Sequence, residues 1–170
     1  MSGAALPAER LIVVASLRWS SPPPVGLVSR VREFLSAIYQ DLLEPDEVED
    51  VAMTAHELLE NVLKYSSDGA SSFEAELYDR GGQTWARLRT TNNANVEQLA
   101  GLQRLVERIG AAADPIALYD ELIATSSQRN GSGLGLARVR AEAGMSIACA
   151  VDDRQICLVA ERSLSIRRVA

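Results

Sequence analysis

The sequence predicts an α+β fold, a two-layer sandwich in which helices cover one face of a mixed, mostly antiparallel sheet. Two observations support this prediction. Strand-like segments rich in β-branched residues alternate with helical segments in the order strand, two helices, hairpin, helices, hairpin. The central hairpin also sorts its charged and apolar residues onto opposite faces. We interpret residues 1–170 as one domain with a core at about 11–162.

The first half of the chain predicts one strand and two helices. Residues 9–19 are rich in β-branched side chains and predict a strand, which the three prolines of residues 20–24 interrupt. Residues 25–43 predict an amphipathic helix, with Phe34 among its inward-facing residues. The next helix begins at Pro45 or Asp46, where acidic side chains suit a helix N-terminus, and it ends near residues 66–69.

The hairpin that follows has a register that the sequence specifies. Gly81 and Gly82 form a natural two-residue turn. If Arg80 faces Gln83, opposite charges pair on one face and mostly apolar residues share the other, whereas a slip by one residue destroys both patterns. The expected pairs are Tyr78 with Trp85, Glu76 with Arg87, Glu74 with Arg89, Leu77 with Ala86, Ala75 with Leu88, and Phe73 with Thr90.

The last third predicts a helical insert, a short helix and a closing hairpin. Residues 90–95 are polar and turn-rich, 96–112 have helical periodicity, and Asp114 can cap a further helix to about residue 122. A helix over 134–143 ends at Gly144 in a left-handed cap. Strands are expected at 146–151 and 154–162, and the basic tail 163–170 is interpreted as a solvated end.

Composition excludes several classes of function. A net charge of −6 argues against a general nucleic-acid or membrane-surface binder, and residues 11–15, the longest apolar run, are too short to span a bilayer. We therefore expect a cytoplasmic protein. Cys149 and Cys157 lack a metal-binding spacing, and in a reducing compartment they are expected as free thiols; depending on register they face each other or not. With His56 as the sole histidine, a hydrolase triad has no support.

The residues with most chemical content lie on the second helix, in the segment AHELLENVLKY at positions 55–65. Its apolar side chains, Leu63 among them, share one face. The opposite stripe consists of Asp50, Thr54, Glu57, Asn61 and Lys64. Glu and Asn supply hard oxygens for a phosphate-bound Mg²⁺, and Lys balances phosphate charge. Taken alone, this stripe is also typical of an ordinary solvated helix face.

A glycine-rich turn follows about seventy residues later, in NGSGLGLARVRAEAGM at positions 130–145. Glycines let backbone approach a ligand closely, and the N-terminus of the following helix offers free N–H groups to a phosphate. The turn and the acidic helix in this order resemble the Glu-x-x-x-Asn box and second glycine box of the gyrase/histidine-kinase/MutL ATPase superfamily. Among its members, stand-alone serine kinases of the anti-sigma-factor type are the most similar.

That resemblance implies a histidine-kinase-like ATPase fold and a role for each matching residue. Glu57 would be the catalytic residue that orients or deprotonates the attacking hydroxyl, and Asn61 would complete Mg²⁺ coordination. Lys64 would lie near the phosphates. The expected cofactor contacts in the glycine box are Gly131, Ser132, Gly133, Leu134 and Gly135.

One motif of the family is missing. The third strand normally ends in an Asp-x-Gly-x-Gly box whose aspartate accepts the adenine amine, whereas residues 90–94 here read TTNNA. Asn92 or Asn93 would have to present an amide oxygen to adenine. This departure, with residues 92–130 as a helical, lid-like insert, is similar to the SiaB-like branch of stand-alone kinases, which works in bacterial partner switching.

Two functions remain open at this point. One is an ATP- and Mg²⁺-dependent serine/threonine kinase acting on a small, antagonist-like regulatory protein, favoured by Glu57, Asn61, Lys64 and the three glycines. The other is a non-catalytic protein-binding module of the same fold, favoured by the altered adenine box, which implies weak or lost ATP binding. The sequence leaves the choice between monomer and homodimer open.

Overall fold

The computed structural model describes residues 9–20, 26–125 and 133–167. The helices in these ranges are α1 (Leu27–Tyr39), α2 (Pro45–Tyr65), α3 (Val96–Ala111), α4 (Pro115–Thr125) and α5 (Leu134–Ala141). The strands are β1 (Glu9–Trp19), β2 (Ser71–Arg80), β3 (Gln83–Asn93), β4 (Ser146–Asp152) and β5 (Gln155–Leu164). No helix in the described ranges is long and apolar enough to cross a membrane.

The strands form one sheet in the order β1-β2-β3-β5-β4, which confirms the predicted fold class. Each adjacent pair of these strands is antiparallel, so the described sheet is more uniform than the mixed sheet we expected. The hairpin register is confirmed along its length, from Arg80 opposite Gln83 through Glu76 opposite Arg87 to Phe73 opposite Thr90. The turn places Gly81 and Gly82 at φ values of 65° and 84°, which favour glycine.

The two faces of the sheet differ in chemistry. Phe73, Ala75 and Leu77 of β2 are at most 1% exposed and form the inner face beneath the helices. α2 packs on this face against β2, β3 and β5, and α1 packs on α2. The outer face carries ion pairs instead: Arg87 bonds Glu161 of β5 and Glu9 of β1. Period-2 alternation in the strands therefore creates both the core and a charged outer surface.

Several predicted boundaries are wrong. β3 continues through Asn93, where we expected a turn, because Asn92 and Asn93 pair with Ile156 and Gln155 of β5. α1 ends at Tyr39 and not near residue 43, because Pro45 disfavours helix before it and Leu43 forms a β-bridge with Ile166. The C-terminal segment is not a solvated end throughout.

Two residues assigned to inward faces lie outside. Phe34 is 53% exposed and Leu63 is 40% exposed, so the apolar stripes of α1 and α2 are narrower than predicted. Other expectations are confirmed. Asp114 caps α4 by accepting from the Ala117 N–H, and Gly144 has φ 63° just after α5. The proline-containing stretch at 21–25 lies outside the described residues.

The two cysteines are free thiols on adjacent antiparallel strands. Cys149 is opposite Leu158, and Cys157 is opposite Ala150. Since successive strand residues point to opposite faces, this register separates the thiols onto the two sides of the sheet. Burial, together with the nearby Cys157, raises the pKa of Cys149.

Candidate functional site

The polar stripe of α2 is not a uniform solvated face. Thr54 is fully buried, and its hydroxyl donates to the Asp50 carbonyl one turn earlier. The Glu57 side chain is only 17% exposed, and Asn61 is half-buried. Lys64, one turn further, is exposed. Of these residues, Glu57 lies against α5, which packs on α2.

The glycine-led start of α5 lies directly against Glu57. A Cβ atom added to Gly135 would lie 2.2 Å from Glu57 Oε2, closer than side-chain atoms approach each other. Gly133 has φ 92°, which favours glycine, and a Cβ there would meet Leu105 of α3 at 2.5 Å. Two of the predicted glycines are therefore needed where α2, α3 and α5 meet. Gly131 and Ser132 lie outside the described residues.

A pocket of about 460 Å³ opens beside this junction. Its volume falls within the range of about 300–1,000 Å³ that is typical of small-molecule sites. Polar side chains and apolar walls both contribute to it, and α3 forms one wall. The described lining residues are Asn61, Tyr65, Asn92, Ala94, Gln98, Gly101, Leu102, Leu105, Gly133, Ile156 and Leu158.

Three of the predicted site residues meet in this pocket although they are distant in sequence. Asn61 comes from α2, Asn92 from the end of β3, and Gly133 from the residue before α5. Asn61 lies about one turn before the end of α2, Asn92 is the second-to-last residue of β3, and Gly133 directly precedes α5. Glu57 is not among the residues that line the pocket; it lies one helical turn before Asn61, behind Gly135.

Asn92 and Asn93 differ in position because they are neighbours in one strand. Asn92 is 4% exposed on the inner face, lines the pocket, and donates through Nδ2 to the Asn93 carbonyl. Its Oδ1 is the side-chain atom that remains to accept a hydrogen bond from a ligand N–H group. The Asn93 amide instead donates to Asp68 over 2.6 Å, and this bond is the main cause that lowers the pKa of Asp68. Of the two asparagines, only Asn92 is among the described residues that line the pocket.

Asn61 has its amide group occupied as well. Its Nδ2 donates to the Glu57 carbonyl at 2.8 Å, so a ligand of this side chain would use the carbonyl oxygen Oδ1. The described residues hold no cluster of three or more His, Cys, Asp or Glu side chains that could bind a metal alone. Mg²⁺ bound to phosphates needs only one or two protein oxygens. The donor set therefore fits a nucleotide-carried Mg²⁺ and not a dedicated metal cage.

The remaining predicted contacts lie at the margin. Lys64 Nζ lies 5.3 Å from the ring centroid of Tyr65, which lines the pocket, but Lys64 itself does not. Leu134 begins α5 and packs partly against the hydrophobic core. Lys64 is therefore an exposed cation near the pocket, and Leu134 is an apolar residue that packs against the core next to the glycines.

The sequence reasoning missed two groups of residues. Arg138 forms an ion pair with Glu57, with Nη1 and Oε1 3.4 Å apart. The spacing could have indicated this residue, because Arg138 lies three residues after Gly135 and so faces the same side of the helix. The α3 wall, with Gln98, Gly101 and Leu102, was predicted as helix but not as pocket. Its position depends on how α3 packs, which the periodicity does not specify.

The fold is similar to that of a known structure, although the sequence as a whole is not similar to a known family. No protein-family model matches the chain, and no curated protein matches its sequence significantly. A chain in the crystal structure of the SiaB–SiaC complex from Pseudomonas aeruginosa superposes with a TM-score of 0.63. The alignment covers 90% of each chain with 20% sequence identity. At this identity the likeness shows a shared fold with a chain of that complex.

Proposed function

We propose that this chain is a SiaB-like regulator of partner switching: an ATP- and Mg²⁺-dependent serine/threonine kinase that acts on a small regulatory protein. The observation that carries the proposal is the convergence of Asn61, Asn92 and Gly133 on one pocket. The contact of Gly135 with Glu57 adds a carboxylate beside it. These residues are far apart in sequence. Glu57 and Asn61 match one motif of the gyrase/histidine-kinase/MutL superfamily, to which we assign the chain, Gly133 and Gly135 match a second, and Asn92 stands where the missing adenine box would be.

The pocket has the parts that a purine nucleotide requires. Leu102 and Leu105 of α3 and Ile156 and Leu158 of β5 provide apolar walls for a flat base. The carboxamide oxygen of Asn92 would accept from the adenine amine. An aspartate in that place would make a charged hydrogen bond of about 1.5–3 kcal/mol, against about 0.5–1.5 for the neutral amide. We therefore expect ATP to bind about tenfold more weakly than it would with an aspartate.

The proposed reaction transfers the γ-phosphoryl group of ATP to a serine or threonine hydroxyl of the partner. The bond between that phosphorus and its bridging oxygen breaks, a bond to the hydroxyl oxygen forms, and ADP leaves. The Glu57 carboxylate would orient the hydroxyl and accept its proton, and Asn61 Oδ1 would bind the Mg²⁺ that accompanies the phosphates. In such a reaction the protein contributes mainly positioning and electrostatic stabilisation.

The likeness to a chain of the SiaB–SiaC complex supports the choice of partner class. SiaB and SiaC are found together in one complex, so a protein of this fold is known in association with another protein. We propose that this chain likewise binds a small antagonist-like protein, in the cytoplasm. The net charge of −6 disfavours nucleic acid and anionic membranes as alternative partners.

A second function, a non-catalytic module that binds the same kind of partner, is favoured by one observation. Glu57 forms an ion pair with Arg138 and does not line the pocket, so its carboxylate does not face the cavity. In this alternative the fold keeps its partner surface, and phosphotransfer is absent.

Titration calorimetry with ATP and Mg²⁺ separates the two functions without knowledge of the partner. We expect weak, Mg²⁺-dependent binding by the wild type and a further loss of about tenfold in Asn61→Ala, since one metal oxygen is removed. Glu60→Ala, which changes an exposed side chain of the same helix outside the pocket lining, is the matched control and should keep the wild-type affinity. Binding that Asn61→Ala leaves unchanged would contradict the nucleotide site, and absence of binding would favour the non-catalytic module.

A further inference from the structure

A cluster of charged side chains lies where α2, α4 and α5 meet, beside the pocket. Arg138 of α5 lies between two carboxylates: its Nη1 is 3.4 Å from Glu57 Oε1, and its Nε donates to Glu142 Oε2 at 2.7 Å. Tyr119 of α4 lies near this pair. Burial raises the pKa of its hydroxyl, and the negative charges of Glu142 and Glu57 act in the same direction. Neither Arg138 nor Tyr119 belongs to the motifs that predicted the site.

The Glu57 carboxylate is confined from two sides. The backbone at Gly135 holds Oε2 so closely that even a methyl group would displace it. The guanidinium of Arg138 meets the other oxygen, Oε1. Positions 135 and 138 are three residues apart and lie on one side of α5, so one short helix supplies both constraints. Glu142 lies one turn beyond Arg138 and holds the guanidinium from behind.

We propose that Arg138 is a positioning residue: its guanidinium, supported by Glu142, fixes the orientation of the Glu57 carboxylate beside the start of α5. This proposal deepens the kinase function and depends on it for the role of Glu57, though not for the geometry. A guanidinium suits the task because its planar, forked donors can hold two carboxylates at once in a fixed arrangement. The rounder ammonium group of lysine keeps the charge but not the fork.

The cluster contributes to orientation and not to overall stability. The Arg138 side chain is 42% exposed and Glu142 is 46% exposed, and ion pairs this open add little to the free energy of folding. The charged and titratable side chains described around this ion pair are Arg138 and Glu142 of α5 and Tyr119 of α4. Arg138 carries the positive charge among these three.

The kinetic experiment compares Arg138→Gln, Arg138→Lys and the control Arg104→Gln, which removes an equal charge from an exposed position of α3. We expect Arg138→Gln to lower kcat for phosphotransfer about 10- to 100-fold, because a misplacement of about 1 Å has an effect of that order. The KM for ATP should change less than about twofold, since binding groups are untouched. Arg138→Lys should recover part of the loss, and Arg104→Gln should behave as wild type.

A double variant tests whether Arg138 acts through Glu57. Adding Arg138→Gln to Glu57→Gln should cause no further loss, because the group that Arg138 positions is already gone. An equal loss in both backgrounds would overturn the proposal, and so would a wild-type kcat in Arg138→Gln.

A second measurement decides the matter if the wild type transfers no phosphate, a result that would refute the kinase function itself. Scalar couplings in nuclear magnetic resonance report the side-chain rotamers of Glu57 in the free protein. We expect one dominant rotamer in the wild type and in Arg104→Gln, and averaging over several rotamers in Arg138→Gln. A Glu57 rotamer that remains fixed without Arg138 would refute the positioning role independently of any activity.

Discussion

Gly135 and Glu57, 78 positions apart in the sequence, are in direct contact: a Cβ on Gly135 would lie 2.2 Å from Glu57 Oε2. The glycine has an ordinary helical backbone without positive φ, so the need for glycine here is one of space and not of backbone strain. Gly135 of the glycine box therefore constrains the acidic residue of α2. This contact connects the two motifs that the sequence presents separately.

Gly135→Ala should strongly reduce phosphotransfer and have little effect on the stability of the fold. The atom in the way is the end of a flexible side chain, so Glu57 would swing aside, and alanine favours a helix over glycine by about 1 kcal/mol. We expect the free energy of unfolding to change by less than about 1 kcal/mol, whereas phosphotransfer falls about 100-fold or more. Denaturant titration and a phosphotransfer assay measure the two effects. Gly110→Ala, where the new methyl group meets nothing within 4 Å, is the control; full activity in Gly135→Ala would show that the contact is not functional.

Gly101→Leu should block the pocket. Gly101 lies in the α3 wall, and a Cβ there meets nothing within 4 Å, so a leucine can extend into the cavity. Leucine also favours a helix over glycine by roughly 0.5–1 kcal/mol, so a loss of binding would not reflect unfolding. We expect the affinity for Mg²⁺-ATP to fall about tenfold or more. Calorimetry on Gly110→Leu, a change on the same helix outside the pocket lining, provides the comparison, and equal affinities would place the nucleotide elsewhere.

Arg162→Ala should destabilise the fold. Arg162 of β5 bonds Glu47 and Asp50 of α2 and also donates to the Ala143 carbonyl just after α5. Its side chain is 21% exposed, so removing it leaves partly buried carboxylates without their cation. We expect a loss of about 2–3 kcal/mol in the free energy of unfolding, below the 3–5 typical of fully buried pairs. The exposed Arg32–Glu49 pair gives the control: Arg32→Ala should cost less than about 1 kcal/mol, and a similar loss in both variants would contradict the assignment.

Acid unfolding should depend on Glu9. Hydrogen bonds from Arg87 and then Arg80 lower the pKa of Glu9 from 4.5 to about 2. Because the folded-state pKa is the lower one, Glu9 stabilises the fold above pH 4.5, and this contribution disappears as the pH falls toward 2.

Urea titrations at several pH values between roughly 2 and 6 test this, because that range includes both the folded-state and the unfolded-state pKa of Glu9. The stability of Glu9→Gln should fall less steeply with acid than that of the wild type. Glu107→Gln, on the exposed face of α3, should retain the wild-type dependence. Identical slopes for Glu9→Gln and the wild type would show that these arginines do not hold the carboxylate in solution.

Local chemistry allowed much of the fold to be predicted. The register of β2 and β3 follows from side-chain alternation and from the Gly81–Gly82 turn, since a slip by one residue would place the charges inside. The α4 cap at Asp114 and the left-handed Gly144 are likewise properties of a few neighbouring residues. Glu57 and Asn61 were predicted to share a helix face because four residues are about one turn.

The tertiary structure decided what depends on a neighbouring element. Asn92 and Asn93 became strand residues because β5 supplies their hydrogen-bond partners, and the strand then turned Asn92 alone toward the pocket. Thr54 is buried, although its spacing is equally typical of a solvated face, because what covers a helix face depends on the elements packed on it.

The same distinction applies to the candidate site. The sequence by itself indicated which residues are candidates for its chemistry, because helix spacing and glycine-rich turns are local patterns. Only the tertiary structure decided that Arg138 meets Glu57 and that α3 forms a wall of the pocket. Arg138 and Glu57 are 81 positions apart in the sequence. Contacts of this kind depend on how whole helices pack, which no local periodicity specifies.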